Sequence, residues 1–411
     1  MQWIKIALRN ILKNRRRSFV TLTAIAFGFA AVALFRGYTA NTYEGLRRSA
    51  IRGEGLGHLS IYKAGWLEKA HQDPQANMLT PAMIKKITAL TKADPHVILT
   101  TPQLHVSGLV SNGRTSNIFL ANGVVPDDFR KITGVMADRR AMQGEDLRQD
   151  APYTVIMARE LARQLNLAPQ SDAVIMAATL DGQMNALDIR VNGTYDTGSE
   201  ATNDKYMLLS YQYAQSLYDT DRADRLVVLL DDWRYTETAR RRLEQTLVKA
   251  DLPCEIKTWN ELSLFFNKVK GMFDMIFMFI FVIVLVIVIM STVNTMGMSV
   301  VERTREIGTL RVLGLKRRGV NFLFAMEGAM LGLLGCGAGA ALNVLAWAVI
   351  RLAGPTYVPP GLSSPVPLIV DLLPGAMLRL TLFLTILSMA AAILPARRAA
   401  CMGIVDALGH V

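Results

Sequence analysis

The chain has 411 residues, 51% of them hydrophobic, and carries a formal net charge of +11. Three segments that border apolar runs, residues 1–18, 302–318 and 397–411, account for this entire charge, so the rest of the chain is neutral overall. A nucleic-acid-binding protein would concentrate its basic residues on a folded domain. The distribution therefore excludes nucleic acid as a partner and predicts a membrane protein with a large soluble part.

Four apolar stretches are long enough to cross a bilayer as helices. In chain order, the predicted transmembrane helices are residues 19–40, 271–300, 320–350 and 375–396. Lys and Arg concentrate on the cytoplasmic side of membrane proteins, which assigns three segments to the cytoplasm: residues 1–18, 301–319 and 397–411. The domain 41–270 and the loop 351–374 then lie in the periplasm, and the chain is predicted to be a multi-pass protein of the bacterial inner membrane.

The N-terminal segment 1–18 has an amphipathic pattern. Ile4, Leu8 and Ile11 share one face of a helix, and the basic residues avoid that face. This pattern predicts a helix lying along the cytoplasmic membrane surface; the alternative is that the first transmembrane helix extends into the cytoplasm. The long segment before the apolar run favours an uncleaved anchor over a signal peptide.

Residues 41–270 mix strand and helix patterns, which predicts an α+β domain inserted between the first and second transmembrane helices. Strands are predicted in "GHLSIYK" and in "HVSGLVSNGRTSNIFLANGV", with a turn at Asn112–Gly113. In "RLVVLLDDWRYTETARRRLEQTLVKA" a strand precedes a helix, and Asp231–Asp232 is predicted to cap the helix. We expect two lobes, one with the early strands and a helix at 81–90, the other covering about 151–260.

The sequence offers no convincing enzyme site. The five histidines include no pair spaced i, i+4, and no nucleophile-elbow, zinc-protease or phosphate-loop motif occurs. Of the three cysteines only Cys254 falls in the domain 41–270, so this domain has neither a disulfide framework nor a zinc spacing. We therefore predict no catalytic residue, no metal ion and no cofactor bound by this chain.

The connection "VERTREIGTLRVLGLKRRGV" is too charged to lie in lipid and is regular enough to form a helix. Ile307, Leu310 and Leu313 are predicted to lie along one side, and Gly314 fits a helix end. Gly308 costs about 1 kcal/mol relative to alanine within a helix, which suggests close approach to another surface. The positive-inside rule explains only the final basic cluster, Lys316 to Arg318.

Polar and small residues also stand out within the predicted spans. Glu327 is either functional or an interfacial carboxylate paired with Arg317, Arg318 or a partner chain. Asn294 either lines a cavity or bonds across helices. Four glycines fall on one helical stripe and predict a helix-packing seam rather than a substrate path: Gly328, Gly332, Gly335 and Gly339.

The connection and the helix after it resemble the FtsX-like permease domain of the macrolide-exporter and lipoprotein-releasing class of ABC transporters. The resemblance lies in "TREIGTLRVLGLKRRGV" and in the glutamate of "FAMEGAMLGLLGCGAGAAL". The N-terminal "ALRNILKNRRRSFVTLTAIAFG" and the segment 153–218 resemble the same family. The resemblance implies that the connection is a coupling helix docking on a separate ATPase subunit. The implied coupling residues are Glu302, Arg305, Glu306, Gly308, Arg311 and Gly314.

The resemblance also implies partners and a function. Two permease subunits, as a homodimer or with a paralogue, would pair with two ATPase subunits, which would bind ATP and Mg. The expected cargo is a lipoprotein or another lipidated or amphiphilic molecule, handled from the periplasm with the help of a carrier or adaptor protein. The alternatives are a tripartite efflux permease and a non-transporting relay that activates a periplasmic cell-wall hydrolase.

Overall fold

The computed structural model describes residues 9–10, 15–69, 72–134, 142–359, 362 and 365–401. The predicted amphipathic helix 1–18 falls largely outside these residues, as does most of the tail 397–411. The chain divides into two units. The helical unit comprises Met1–Tyr43, Val269–Thr356 and Pro367–Val411, and the inserted domain comprises Glu44–Lys268 with Tyr357–Val366.

The described α-helices are, in chain order, α1 (Arg15–Arg48), α2 (Trp66–Lys69), α3 (Pro74–Asn77), α4 (Pro81–Thr91), α5 (Pro126–Thr133), α6 (Arg159–Gln164), α7 (Glu200–Asn203), α8 (Tyr211–Tyr218), α9 (Thr236–Lys249), α10 (Trp259–Leu262), α11 (Leu264–Glu302), α12 (Thr304–Val312), α13 (Arg317–Ala353) and α14 (Pro374–Cys401).

The described strands are, in chain order, β1 (Leu59–Lys63), β2 (Val97–Ser111), β3 (Ser116–Val124), β4 (Gln143–Gly144), β5 (Thr154–Ala158), β6 (Asp172–Ala178), β7 (Met184–Tyr195), β8 (Tyr206–Ser210), β9 (Arg225–Leu230), β10 (Cys254–Thr258), β11 (Thr356–Tyr357) and β12 (Val366–Pro367).

Four helices of the described chain, α1, α11, α13 and α14, are long and apolar enough to cross a membrane. Each is longer than the span predicted from hydropathy. Helix α11 has 39 residues, which corresponds to about 58 Å at 1.5 Å per residue, whereas the hydrocarbon core of a bilayer is about 30 Å thick. This helix therefore continues well beyond the apolar layer.

All four long helices contribute to one apolar cluster inside the helical unit. Phe29 of α1, Val288 of α11, Cys336 of α13 and Leu384 of α14 are each at most 1% exposed and belong to it. Polar side chains add bonds between helices: Thr21 and Thr295 hydroxyls lie 2.6 Å apart, and those of Thr292 and Ser388 lie 3.0 Å apart. Such bonds contribute modestly to helix association in lipid.

The glycine stripe of α13 lies against two neighbouring helices. A Cβ at Gly328 would come within 2.7 Å of the Ser388 carbonyl oxygen, and one at Gly332 within 3.0 Å of the Ser388 Cβ, both on α14. A Cβ at Gly335 would lie 2.7 Å from Ile25, and one at Gly339 would lie 2.7 Å from the Ala26 carbonyl oxygen, both on α1. The missing side chains therefore permit close approach of α14 at one part of the stripe and of α1 at the next part.

In the inserted domain, strands β1 to β10 form one sheet with the order β10-β1-β9-β2-β3-β8-β5-β7-β4, and β6 pairs with β2 and β7. The pairs β3–β8 and β5–β7 are parallel. The predicted hairpin turn is confirmed, because Gly113 has φ +85° and the Asn112 side chain accepts from the amides of Arg114 and Thr115. Asp232 caps a short 3₁₀-helix before α9.

The two largest of the apolar clusters described in the domain do not divide the chain as predicted. The larger one joins β2, β3 and β5 to β8 with helices α6 and α8. The other joins β1, β9 and β10 with helices α4 and α9. The predicted second lobe, 151–260, is therefore wrong in its second half: residues 225–258 pair and pack with the earliest strand, because β9 lies between β1 and β2.

Candidate functional site

The connection between α11 and α13 is a helix with a break at each end. Arg303 alone separates α11 from α12, with φ −114° and ψ 12°. Helix α12 ends at Val312, and Gly314 adopts φ +95°, a conformation that residues with a side chain rarely take. The predicted helix end at Gly314 is confirmed. We refer to residues 303–316 as the coupling segment.

One side of α12 faces the long helices of the same chain. Thr304, Ile307 and Gly308 are buried, and Ile307 belongs to an apolar cluster with Val300 of α11 and Phe324 of α13. Gly308 therefore lies on the side of α12 that is buried within this chain, and its role in admitting a partner protein stays a prediction.

The opposite side of the coupling segment exposes apolar and charged residues together. Leu310, Val312 and Leu313 are 41%, 59% and 78% exposed, and Arg305 and Glu306 beside them are exposed. The single apolar side predicted from the sequence is thus split, with Ile307 turned inward and the three later residues outward. Val312 was not predicted to be part of this exposed surface. The only sign of it in the sequence is an apolar residue that lies outside the i, i+3 stripe.

Other predicted coupling residues occupy different settings. Glu302 is the last residue of α11, and its carboxylate accepts a hydrogen bond from the Arg17 guanidinium of α1. Arg311 is half-buried and Gly314 is exposed. Of the six predicted residues, Arg305 and Glu306 therefore lie on the outward side of α12, while Glu302 is held by the first long helix.

Glu327 is buried within the helical unit at 2% exposure. Its carboxylate oxygen Oε1 accepts from Arg303 Nη1 at 2.9 Å and from the side-chain amide of Asn10. Its ion-pair partner in the described chain is Arg303 rather than the predicted Arg317 or Arg318, and its functional or interfacial role stays a prediction. Arg303 was not predicted as its partner, because a charged residue beside many other charged residues gives no sequence signal of burial.

Asn294 lies on an exposed face of α11. The neighbouring Ser291 contributes its carbonyl oxygen to Thr21 at 3.5 Å. The side-chain amide of Asn294 therefore faces the outside of the helical unit.

Two of the histidines described in the inserted domain, His58 and His105, lie in contrasting environments. His58 is 4% exposed, and burial lowers its pKa from 6.5 to about 4. Its Nδ1 accepts from the Leu230 amide at 3.0 Å, so the neutral ring carries its proton on Nε2. His105 contacts buried Asp224; burial opposes ionisation of Asp224, yet His105 and Arg225 hold its pKa below its usual range.

Neither histidine belongs to a metal-binding group. Among the residues that the structure describes, no three His, Cys, Asp or Glu side chains are placed to hold a metal ion. The arrangement at His58 is that of a buried side chain with a satisfied acceptor, and the Asp224 contacts tie β2 to the start of β9. The coupling segment is therefore the better candidate for a functional surface.

Comparison with protein families matches both units. The model for the MacB-like periplasmic core domain matches residues 18–246, and that for the FtsX-like permease C-terminal domain matches residues 278–404. The chain belongs to the MacB-like family of ABC transporter permeases. In this family framework the inserted α+β domain is the MacB-like periplasmic core domain, and α11 to α14 with the coupling segment form the FtsX-like part.

The individual relatives have low sequence identity, but the similarity extends over most of this chain. The chain is 24% identical to the uncharacterized ABC transporter permease YvrN of Bacillus subtilis, covering 82% of this chain and 86% of that protein. It is 24% identical to the macrolide export ATP-binding/permease protein MacB 1 of Yersinia pestis, covering 98% of this chain but 60% of that protein. It is 22% identical to the lipoprotein-releasing transmembrane protein LolC of Xylella fastidiosa, with 64% of each chain covered.

Proposed function

We propose that this MacB-like permease couples ATP hydrolysis by a separate ATPase subunit to conformational work on the far side of the membrane. The observation that carries the proposal is the exposed apolar group Leu310, Val312 and Leu313 within an otherwise charged connection. Apolar anchors surrounded by charged residues are typical of protein–protein contacts. ATP and Mg would be bound by the ATPase, and this chain would supply the surface on which it docks.

A paired substitution tests the docking surface. We expect Leu313→Glu, in tagged permease co-expressed with a candidate ATP-binding subunit that co-purifies with the parent, to reduce co-purification by at least about tenfold, the effect of about 1.4 kcal/mol. Leu313 is 78% exposed, so the substitution leaves the fold of the permease intact. Leu352→Glu is the matched control, because Leu352 is 88% exposed at the opposite end of α13. Equal recovery of the ATPase by both variants would contradict the proposal.

The orientation follows from charge. We propose that the coupling segment and both termini are cytoplasmic and that the inserted domain is periplasmic, because basic residues flank the long helices on one side. Cys401 at the end of α14 is exposed and Cys254 in the inserted domain is partly buried. In spheroplasts, a membrane-impermeant maleimide should label Cys401 only after permeabilisation. Labelling of Cys401 in intact spheroplasts would reverse the orientation.

Assembly requires more than one chain. Four long helices are too few to enclose a pathway, so we propose two permease subunits, identical or paralogous, with two ATPase subunits. Exposed Asn294 supports such pairing, because an amide on the surface of an apolar helix is stabilised by a neighbouring polar group rather than by lipid. The mass of the purified complex in nanodiscs, measured by mass photometry, distinguishes this assembly from a single permease.

For the cargo we propose a lipoprotein or another lipidated molecule taken from the outer leaflet. The similarity to a lipoprotein-releasing protein supports this class, whereas the similarity to a macrolide exporter supports small amphiphiles as the second candidate. The test measures ATP hydrolysis by the permease–ATPase complex in nanodiscs. Stimulation by a triacylated lipopeptide, but not by the same peptide without lipid, is expected; stimulation by a macrolide alone would favour the second candidate.

A further inference from the structure

One buried ion pair joins the coupling segment to the long helices. Arg303 lies at the junction of α11 and α12 and is 7% exposed, while Glu327 lies on α13 and is 2% exposed. Their side chains meet at 2.9 Å. Arg303 is the only residue between α11 and α12, so its contact with Glu327 links this junction to α13.

Stability alone does not account for such a pair. Removing two charges from water costs about as much as their attraction returns, and an apolar pair of similar volume often folds as well or better. The same helices already share an apolar cluster that includes Val300, Ile307 and Phe324. What an ion pair adds is a fixed geometry, because the guanidinium donates in defined directions.

The pair is also placed where α13 meets α14. Gly328, the residue after Glu327, would meet the Ser388 carbonyl oxygen of α14 if it carried a Cβ. A displacement carried to Glu327 is therefore passed to two closely packed helices. The exposed pair Arg17–Glu302 is in a different situation, because its side chains are 44% and 39% exposed and water screens their attraction.

We propose that Arg303 and Glu327 are positioning residues that lock the coupling segment to α13, so that movement of α12 is passed to α13 and α14 instead of being absorbed at the junction. This proposal rests on the proposed function, because the movement that the lock transmits would come from a docked ATPase. Its geometry can be tested without the ATPase, and so the two proposals can fail separately.

The first experiment measures the lock in the permease alone. Spin labels are placed at Thr309 on α12 and Val349 on α13, both exposed, in full-length chain whose three cysteines are replaced by alanine. The Arg303→Met, Glu327→Met double variant leaves no buried unpaired charge and should fold. We expect its label–label distance distribution, measured by electron spin resonance in nanodiscs, to broaden relative to the parent. The control Arg17→Met, which breaks the exposed pair, should keep the parent's narrow distribution.

The second experiment measures transmission in the permease–ATPase complex by hydrogen exchange with and without a non-hydrolysable ATP analogue. We expect the nucleotide to change exchange at the outer end of α13 in the parent and in Arg17→Met. In the double-methionine variant the ATPase should still co-purify, because its docking surface is intact, but the change at α13 should be lost.

Equal distance distributions in parent and double variant would overturn the lock, as would a nucleotide response of α13 that survives in the double variant. Failure of the ATPase to bind any of the chains, the parent included, would instead overturn the proposed docking and leave the first experiment as the test of the lock.

Discussion

The helical unit and the inserted domain are held together in different ways. In the helical unit, glycines of α13 bring backbones together and a few hydroxyl pairs bond between helices. In the inserted domain, apolar clusters cover the sheet. Lipid is as apolar as a helix surface, so burial drives folding of the second unit but not association in the first. Equivalent substitutions should therefore have unequal effects.

The largest contrast is expected for the same substitution in the two units. Phe119 of β3 and Phe29 of α1 are both 0% exposed. Phe119→Ala should destabilise the inserted domain by about 3–5 kcal/mol, the usual cost of a large cavity in an aqueous protein. Phe29→Ala should cost clearly less, because only packing contacts are lost. Limited proteolysis of full-length protein in nanodiscs, followed for fragments of each unit, compares them; an equal loss of protection would remove the contrast.

Acid should affect the inserted domain through His58. Its folded pKa of about 4 lies below its ordinary value of 6.5. As the pH falls, the unfolded chain therefore takes up the proton first. The contribution of His58 to the free energy of unfolding is complete above pH 6.5 and is lost between pH 6.5 and 4. The full loss is about 3 kcal/mol, at 1.36 kcal/mol for each pKa unit.

Thermal unfolding of the full chain between pH 7 and 4.5 measures this effect. His58→Gln keeps an acceptor for the Leu230 amide but does not titrate, so its midpoint should fall less steeply with pH than that of the parent. Parallel pH profiles for the two proteins would show that His58 is not the source.

A smaller effect is expected at the glycine stripe. Alanine at Gly339 would place its Cβ 2.7 Å from the Ala26 carbonyl oxygen and should destabilise the helical unit by about 1–3 kcal/mol. Gly337 is the matched control two residues away, because nothing lies within 4 Å of its added Cβ. Gly337→Ala should be neutral or stabilising through helix propensity. Detergent-resistance assays at increasing temperature measure both, and equal resistance would argue against close packing at Gly339.

The two units also differ in how far the sequence predicted them. The long helices, the helix α12 and the strands around Asn112–Gly113 follow local patterns, and their existence was predicted, although the long helices extend beyond their predicted ends. The order of strands was not predicted. β9 pairs with β1, more than 160 residues earlier, and no local pattern encodes a pairing at that separation, so the boundary between the lobes was misplaced.

Within the candidate site, local patterns predicted the helix and its end but not which side is buried. Ile307 and Leu310 are three residues apart and were placed on one stripe, yet one is 5% and the other 41% exposed. Only a narrow strip of the short helix α12 contacts the neighbouring helices. Because the helix ends at Val312, Leu313 does not continue the stripe and is exposed. The Arg303–Glu327 pair depends on how three helices meet, and a single sequence carries no direct information about that meeting.

The pairing of β1 with β10 has an evolutionary consequence. Leu59 lies opposite Thr258 and Lys63 opposite Cys254, so the first and last strands of the inserted domain are neighbours along their whole length. Antiparallel partners are about 5 Å apart, and a domain whose ends meet can be gained, lost or exchanged as one cassette. A short peptide bridging those ends would be enough to close the chain without the domain.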